Sequence, residues 1–181
     1  MGTEVRDNRI NLDRLISDLS AVSGKSEIVG IITDDEQLKI IAAANEFGAE
    51  IHSPKALKKM RVLAGKNKVK LTGDGKGFIR IPERSYLRSA ADDRQNQDGI
   101  AETVRFYAFR ALAGISTFDE ILPRAGNYLA KKIQGRIASQ TPPKNHPLTE
   151  AIKGHDKTLI GQTKRLISSI DHKTVGRNEI S

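Results

Sequence analysis

The residues in this chain best suited to chemistry are four histidines, a glycine-rich pentapeptide and a dense run of lysine and arginine. His52, His146, His155 and His172 are scattered, and none forms the i, i+4 pair or the histidine–carboxylate cluster that a metal site favours. His155 and Asp156 are adjacent, and neighbours on an extended chain point apart, so they make a poor charge-paired dyad and read as loop residues. Gly73-Asp74-Gly75-Lys76-Gly77 invites comparison with a phosphate cradle. A P-loop, however, needs a Ser or Thr and then a helix after its Gly-Lys, whereas Gly77 leads into Phe78-Ile79-Arg80-Ile81; a hairpin turn is the better reading. No Gly-x-Ser-x-Gly elbow and no recognisable pair of catalytic carboxylates occur. The chain has no cysteine, which removes thiolate catalysis, disulfides and cysteine-based zinc sites together. The expectation is a protein that is not an enzyme and holds no cofactor or metal.

The basic run is the stronger signal. Residues 55–88 hold eleven Lys and Arg against Asp74 and Glu83, a net +9 in a chain whose total is +8, while residues 1–54 carry −5. Lys55, Lys58, Lys59, Arg61, Lys66, Lys68 and Lys70 are the candidate contacts, either to DNA in a channel or to an acidic neighbour. The plain alternative is a solvated flexible arm. Only Phe78 and Tyr86 lie near for base stacking, so such a patch would offer sequence-independent, salt-sensitive contact with phosphates.

The elements that must position these residues follow from length and pattern. At 181 residues the chain suits one domain, 1–181, with a basic excursion over 50–80 and a frayed tail over 176–181. Aromatic residues make up only 4%, so the core must be mainly aliphatic. No run approaches the roughly 18 apolar residues of a membrane span, and Met1-Gly2-Thr3-Glu4 does not read as a signal peptide; synthesis in a cytoplasm, away from membranes, is expected.

Periodicity predicts a short helix over Asn8–Leu19, a turn at Ser23–Ser26 and a buried strand over Glu27–Thr33. A helix capped by Asp34 or Asp35 follows, with Leu38, Ile41, Ala44 or Ala42, and Phe47 on its apolar face and Gly48 as its stop. Residues 50–65 read as loop or a short exposed helix, and Lys66–Thr72 with Lys76–Ile81 as a hairpin about Gly73-Asp74-Gly75. If Glu83–Arg88 is helical, Arg84 and Arg88 share a face. Asp92–Gly99 reads as a solvated stretch, and Ile100–Ala113 as a helix buried on two sides. Ser116 with Asp119 resembles a helix start, and Leu122, Ala125, Leu129, Ile133 and Ile137 mark the strongest helix in the chain, with Pro123 tolerated in its first turns. An extended loop over 141–157, a short helix at Thr163–Ile170 and a strand at Asp171–Val175 complete the reading.

Five short motifs in order carry a family resemblance. They are Val29-Gly30-Ile31; Ala44-Asn45-Glu46-Phe47-Gly48; Ile81-Pro82-Glu83-Arg84-Ser85-Tyr86-Leu87-Arg88; a long helix bearing Gly126 and ending in Ile133 and Ile137; and Asn145-His146-Pro147-Leu148-Thr149. Together they resemble the tail-completion, or neck, proteins of tailed bacteriophages, also described as head–tail joining or virion morphogenesis proteins. Ser85 and Tyr86 stand where that family has Pro and Phe, and Gly161–Leu166 lacks its Thr-Gly pair, although Ser169-Ile170 is retained.

The resemblance implies an α+β fold, a small, mostly antiparallel sheet packed against long α-helices with a basic hairpin or loop excursion. It implies a ring of identical subunits, expected to be a hexamer, at the head-proximal end of the tail. Neck, tail-terminator or tail-tube proteins would be its neighbours, and the protein would sit in the virion after assembly in the host cytoplasm. Asn45, Glu46, Phe47, Arg84, Tyr86, Leu87 and Arg88 then become candidates for subunit contacts. Within that picture most of the lysines are expected to reach an acidic neighbour such as the N-terminal region, because strong binding would hinder DNA sliding through a channel. A tail-terminator ring and a stand-alone nucleic-acid-binding protein are the alternatives.

Overall fold

The helix α6 (Ile121–Ala138) is the member on which the other elements pack. It belongs to a computed structural model that describes residues 9–71, 77–139, 141–161, 163–176 and 179. In chain order the elements are α1 (Arg9–Ser23), β1 (Lys25–Ile31), α2 (Glu36–Phe47), β2 (Ala49–Ile51), α3 (Pro54–Lys66), β3 (Ile79–Ile81), α4 (Arg88–Ala91) and α5 (Arg94–Leu112). A 3-10 turn at Phe118–Glu120 leads into α6, which is followed by α7 (Pro147–Lys153), α8 (Arg165–Ser168) and β4 (Ile170–Gly176). The fold is α+β, with two small antiparallel pairs: β1 with β4, from Lys25↔Gly176 to Ile31↔Ile170, and β2 with β3, from Ala49↔Ile81 to Ile51↔Ile79.

The inward face of α6 recurs every three or four residues, at Ile121, Ala125, Gly126, Ala130, Ile133 and Ile137, so one continuous stripe leaves water. Ala130, Ile133 and Ile137 meet Ala42 of α2, Tyr86 and Leu166 in the core. β1 runs along α6, with Glu27 against Gly126 at one end and Ile31, paired to Ile170, near Gln134 at the other. A Cβ at Gly126 would stand 2.6 Å from Glu27 Cγ, so only glycine lets helix and sheet approach this closely. α5 and α6 form an antiparallel pair: Gly99 faces Tyr128, and the Arg124 guanidinium lies 5.1 Å from the centre of the Tyr107 ring.

Several expectations are corrected. Residues 66–71 form no strand; β3 pairs instead with β2, some thirty residues earlier, so the excursion leaves and returns through a two-stranded stalk. Its turn, 72–76, lies outside the described residues. Inside the excursion α3 runs for 13 residues, capped by Ser53, whose hydroxyl accepts from Ala56 N–H, with Pro54 in its first turn. It stops where Val69 N–H bonds Ala64 O and Lys68 N–H bonds Gly65 O, with Lys68 at φ 53°.

Asp92–Gly99 is solvated, with Asp92, Arg94, Gln95, Gln97 and Asp98 exposed, but it also begins α5, where Asp93 accepts from Gln95 and Asn96 N–H. α5 is not buried on two sides, since Phe106, Phe109 and Leu112 are exposed. Ser116 makes no cap; its hydroxyl oxygen is buried without a partner among the described residues. Pro147 opens α7 and does not prevent it, because a first-turn proline sacrifices no helical bond; His146 Nδ1 accepts from Leu148 N–H there. The strand expected from residue 171 runs through Gly176, and most of the tail beyond lies outside the described residues.

Candidate functional site

The second and third motifs are two halves of one joint. Glu46 follows Leu38 and Ala42 at i+8 and i+4, so α2 turns its carboxylate inward, where the residue is 2% exposed. Its Oε2 accepts from Tyr86 N–H at 2.7 Å and Leu87 N–H at 2.9 Å. Its Oε1 accepts from Arg88 N–H and Arg88 Nε at 3.1 Å each and from the Ser85 hydroxyl at 3.0 Å. Burial alone pushes this carboxyl up. The donors of Leu87, Arg88, Tyr86 and Ser85 outweigh that and hold it below the ordinary glutamate range. Arg88 turns back to Glu83 at 2.6 Å and stands 4.7 Å from the centre of the Phe47 ring.

The rest of both motifs follows from this joint. Gly48, at φ 76°, ends α2, and a Cβ there would come within 3.0 Å of Glu83 N. Arg84 N–H donates to Asn45 O at 2.7 Å, and Tyr86 donates its hydroxyl to Ala42 O at 3.3 Å; burial pushes that phenol's pKa well up.

Arg84 and Arg88 do not share a face. The Arg84 side chain, in a segment that is not helical, reaches the fifth motif, donating to Pro143 O at 2.9 Å and Asn145 Oδ1 at 3.2 Å. Asn145 Nδ2 continues to Lys157 O at 3.1 Å. Burial lowers the pKa of Arg84, and burial together with the Arg84 charge lowers that of Lys153, whose ammonium donates to Thr158 O at 2.8 Å. Glu46, Arg84 and Tyr86, expected at subunit contacts, are therefore interior links of one chain. Asn45 and Leu87 are half-buried, and Phe47 and Arg88 are exposed.

A constellation missed in the sequence joins β1 and β4. Glu27 Oε1 is 2.5 Å from His172 Nδ1, and Thr174 donates to Glu27 Oε2 at 2.5 Å. Residues 27, 172 and 174 meet through strand register, which no local spacing announces. The threonine is bonded to the carboxylate and not to the imidazole, so the base–nucleophile order of a hydrolytic triad is absent from this cluster. No group of three or more metal-binding side chains occurs among the described residues.

Two apolar surfaces remain uncovered. Near the N-terminal end of α6, Phe106, Phe109 (71%), Leu112 and Ile115 are exposed, as are Leu12, Ile16 and Leu19 of α1. A groove of about 890 Å³ runs between α1 and residues 111–120. Beside the C-terminal half of α6, α2 exposes Ile40 (68%), Ile41 and Phe47 (63%), and Phe47 borders a hollow of about 200 Å³ together with Ile31 and Leu87.

The seven basic residues singled out in the excursion are exposed. Lys55, Lys58, Lys59 and Lys66 line one side of α3 with Val62, while Leu57, Met60, Leu63 and Ala64 are turned away from water; Arg61, Lys68 and Lys70 are also exposed. Of the described acids before residue 55, Glu46 is buried, Glu27 is bonded to His172, Asp35 pairs with Arg165, Glu36 with Lys39 and Asp18 with Arg14, while Asp13, Asp34 and Glu50 are exposed.

No protein-family model matches this chain, and comparisons with curated proteins and with solved structures give no match. No helix among the described residues is long and apolar enough to cross a membrane.

Proposed function

We propose that this chain is a non-enzymatic structural protein of a tailed-bacteriophage particle. It assembles as a closed ring at the head-proximal end of the tail, completes the tail and joins it to the neck. The location rests on the five ordered motifs of the sequence. Ring assembly rests on one observation: two unlike apolar faces lie toward opposite ends of α6, about 24 Å apart along its axis between residues 121 and 137. Large apolar side chains left exposed in clusters are liabilities in water. Two different faces on one subunit support head-to-tail contacts, the arrangement that closes into a ring. Phe47 and Leu87 belong to the α2 face, so part of the motif set borders the contact even though Glu46, Arg84 and Tyr86 do not.

Analytical ultracentrifugation of Phe109→Glu and Ile40→Glu tests this. Wild type sediments as a single large species and each variant as a monomer. A mixture of the two variants forms a one-to-one dimer, because one intact face survives on each partner. A wild type that stays monomeric removes the ring, whereas a variant that still dimerises by itself means a two-fold contact. In particles, a tag on the protein is expected at the neck. Loss of the protein is expected to leave full heads beside finished, unjoined tails; overlong tails would reassign it to tail termination.

A further inference from the structure

The ring reading leaves the excursion without a task. We propose that the outward side of α3 binds the phosphate backbone of double-stranded DNA without reading its sequence, through Lys55, Lys58, Lys59 and Lys66. These four ammonium groups sit on one side of a helix, exposed, and none has an ion-pair partner among the described residues. α3 lies outside the central packing of the fold and is carried on the β2–β3 stalk, at whose arm end His52 lies against Phe78, 5.1 Å between ring centres. From Lys55 to Lys66 the helix reaches about 16 Å. Over that length a duplex presents roughly five phosphates per strand.

Three features select this ligand. An acidic surface on a second copy would be the competing partner, but most described acids of the N-terminal region are consumed within their own chain. The lysine side of α3 carries no aromatic ring, and Phe78 is engaged by His52 in a tilted ring contact, so the stacking platform a single strand needs is missing from that side. Lysine is a flexible point charge with no planar fork, which suits a register-free contact. This binding does not depend on the ring: it belongs to the arm, and the two faces proposed for assembly lie elsewhere.

Fluorescence anisotropy with a 20-base-pair DNA duplex, a scrambled duplex and the matching single strand provides the test. The two duplexes are expected to bind equally and the single strand more weakly. Four phosphate contacts give a slope of about −3.6 in log affinity against log salt, roughly a 150-fold loss between 50 and 200 mM. The variant K55Q/K58Q/K59Q/K66Q should lose at least about tenfold in affinity at 50 mM salt and most of the slope, since each lysine removed subtracts about 0.9 from it. The corresponding Lys→Arg variant should keep both. Wild type that shows no salt-dependent duplex binding, or a glutamine variant that binds as wild type does, overturns the proposal. If the glutamine variant instead loses self-association while wild type ignores DNA, the arm is a protein contact and the proposal also fails. Sedimentation of the same samples reports ring assembly separately, so failure here leaves the ring reading untouched.

Discussion

Glu46 and Lys59 are both charged residues on amphipathic helices some dozen positions apart, yet α2 and α3 put them to opposite uses. The Glu46 carboxylate is enclosed and receives donors from Ser85, Tyr86, Leu87 and Arg88, while the ammonium of Lys59 lies in solvent with no ion-pair partner among the described residues. Charge at the joint is consumed in holding two distant segments together. Charge on the arm makes no ion pair among the described residues and faces solvent. A net charge read along the sequence cannot separate the two, because it counts engaged and free groups alike.

The sharpest way to break this comparison is at the joint. Glu46→Gln puts an amide NH2 against backbone N–H donors whichever way it is turned, and an unfolding loss of about 3 kcal/mol or more is expected in urea titrations. The pH dependence follows from the lowered carboxyl. Its contribution is fully present above the unfolded glutamate value of 4.5 and fades as pH falls through the lower folded value, so wild type weakens on acidification. Glu46→Gln should be flatter over that range; equal acid sensitivity in both proteins would place the titrating group elsewhere.

A second, smaller effect concerns the buried charge of the sheet. Gly126→Ala sets a methyl against Glu27, which His172 and Thr174 hold in place, and should lower stability by about 1–3 kcal/mol. Gly135→Ala, on the open side of the same helix, serves as control and should raise stability by roughly 0.5–1 kcal/mol. Thermal denaturation of the pair separates crowding from helix propensity.

The smallest effect belongs to the arm. Replacing Lys55, Lys58 and Lys59 together by Gln is expected to change stability by no more than about 0.5 kcal/mol per site, because the side chains are exposed and glutamine suits a helix nearly as well. A large loss in calorimetry would mean that the lysines hold the fold, and the contrast with Glu46 would collapse.

Much of the architecture was legible. The recurrence from Leu122 to Ile137 marks α6 because its hydrophobic period is long and uninterrupted. β1 and α2 were readable from a β-branched run, the Asp35 cap and the Gly48 stop, although β1 begins at Lys25, inside the expected turn, and none of its residues is fully buried. The face of α2 is only partly as expected: Leu38 and Ala42 are buried, but Ile41 and Phe47 are exposed and Glu46 takes the inward position instead. A glutamate at an inward position looks like a helix end until its donors, forty residues away in sequence, are seen. The breadth of apolar residues in α5 implied burial on two sides. The chain covers only one, and Phe109 remains outside.

By itself the sequence determined where most helices and strands lie, that the core is mainly aliphatic, and that the excess positive charge falls between residues 55 and 88. Those are local properties, written in period, caps and composition. Only the tertiary structure decided that Glu46 faces the backbone of Tyr86–Arg88, that Glu27 meets His172 beneath Gly126, and which apolar faces stay uncovered. Each depends on which segments become neighbours, and that is set by simultaneous burial of many distant residues, not by the spacing within any one stretch.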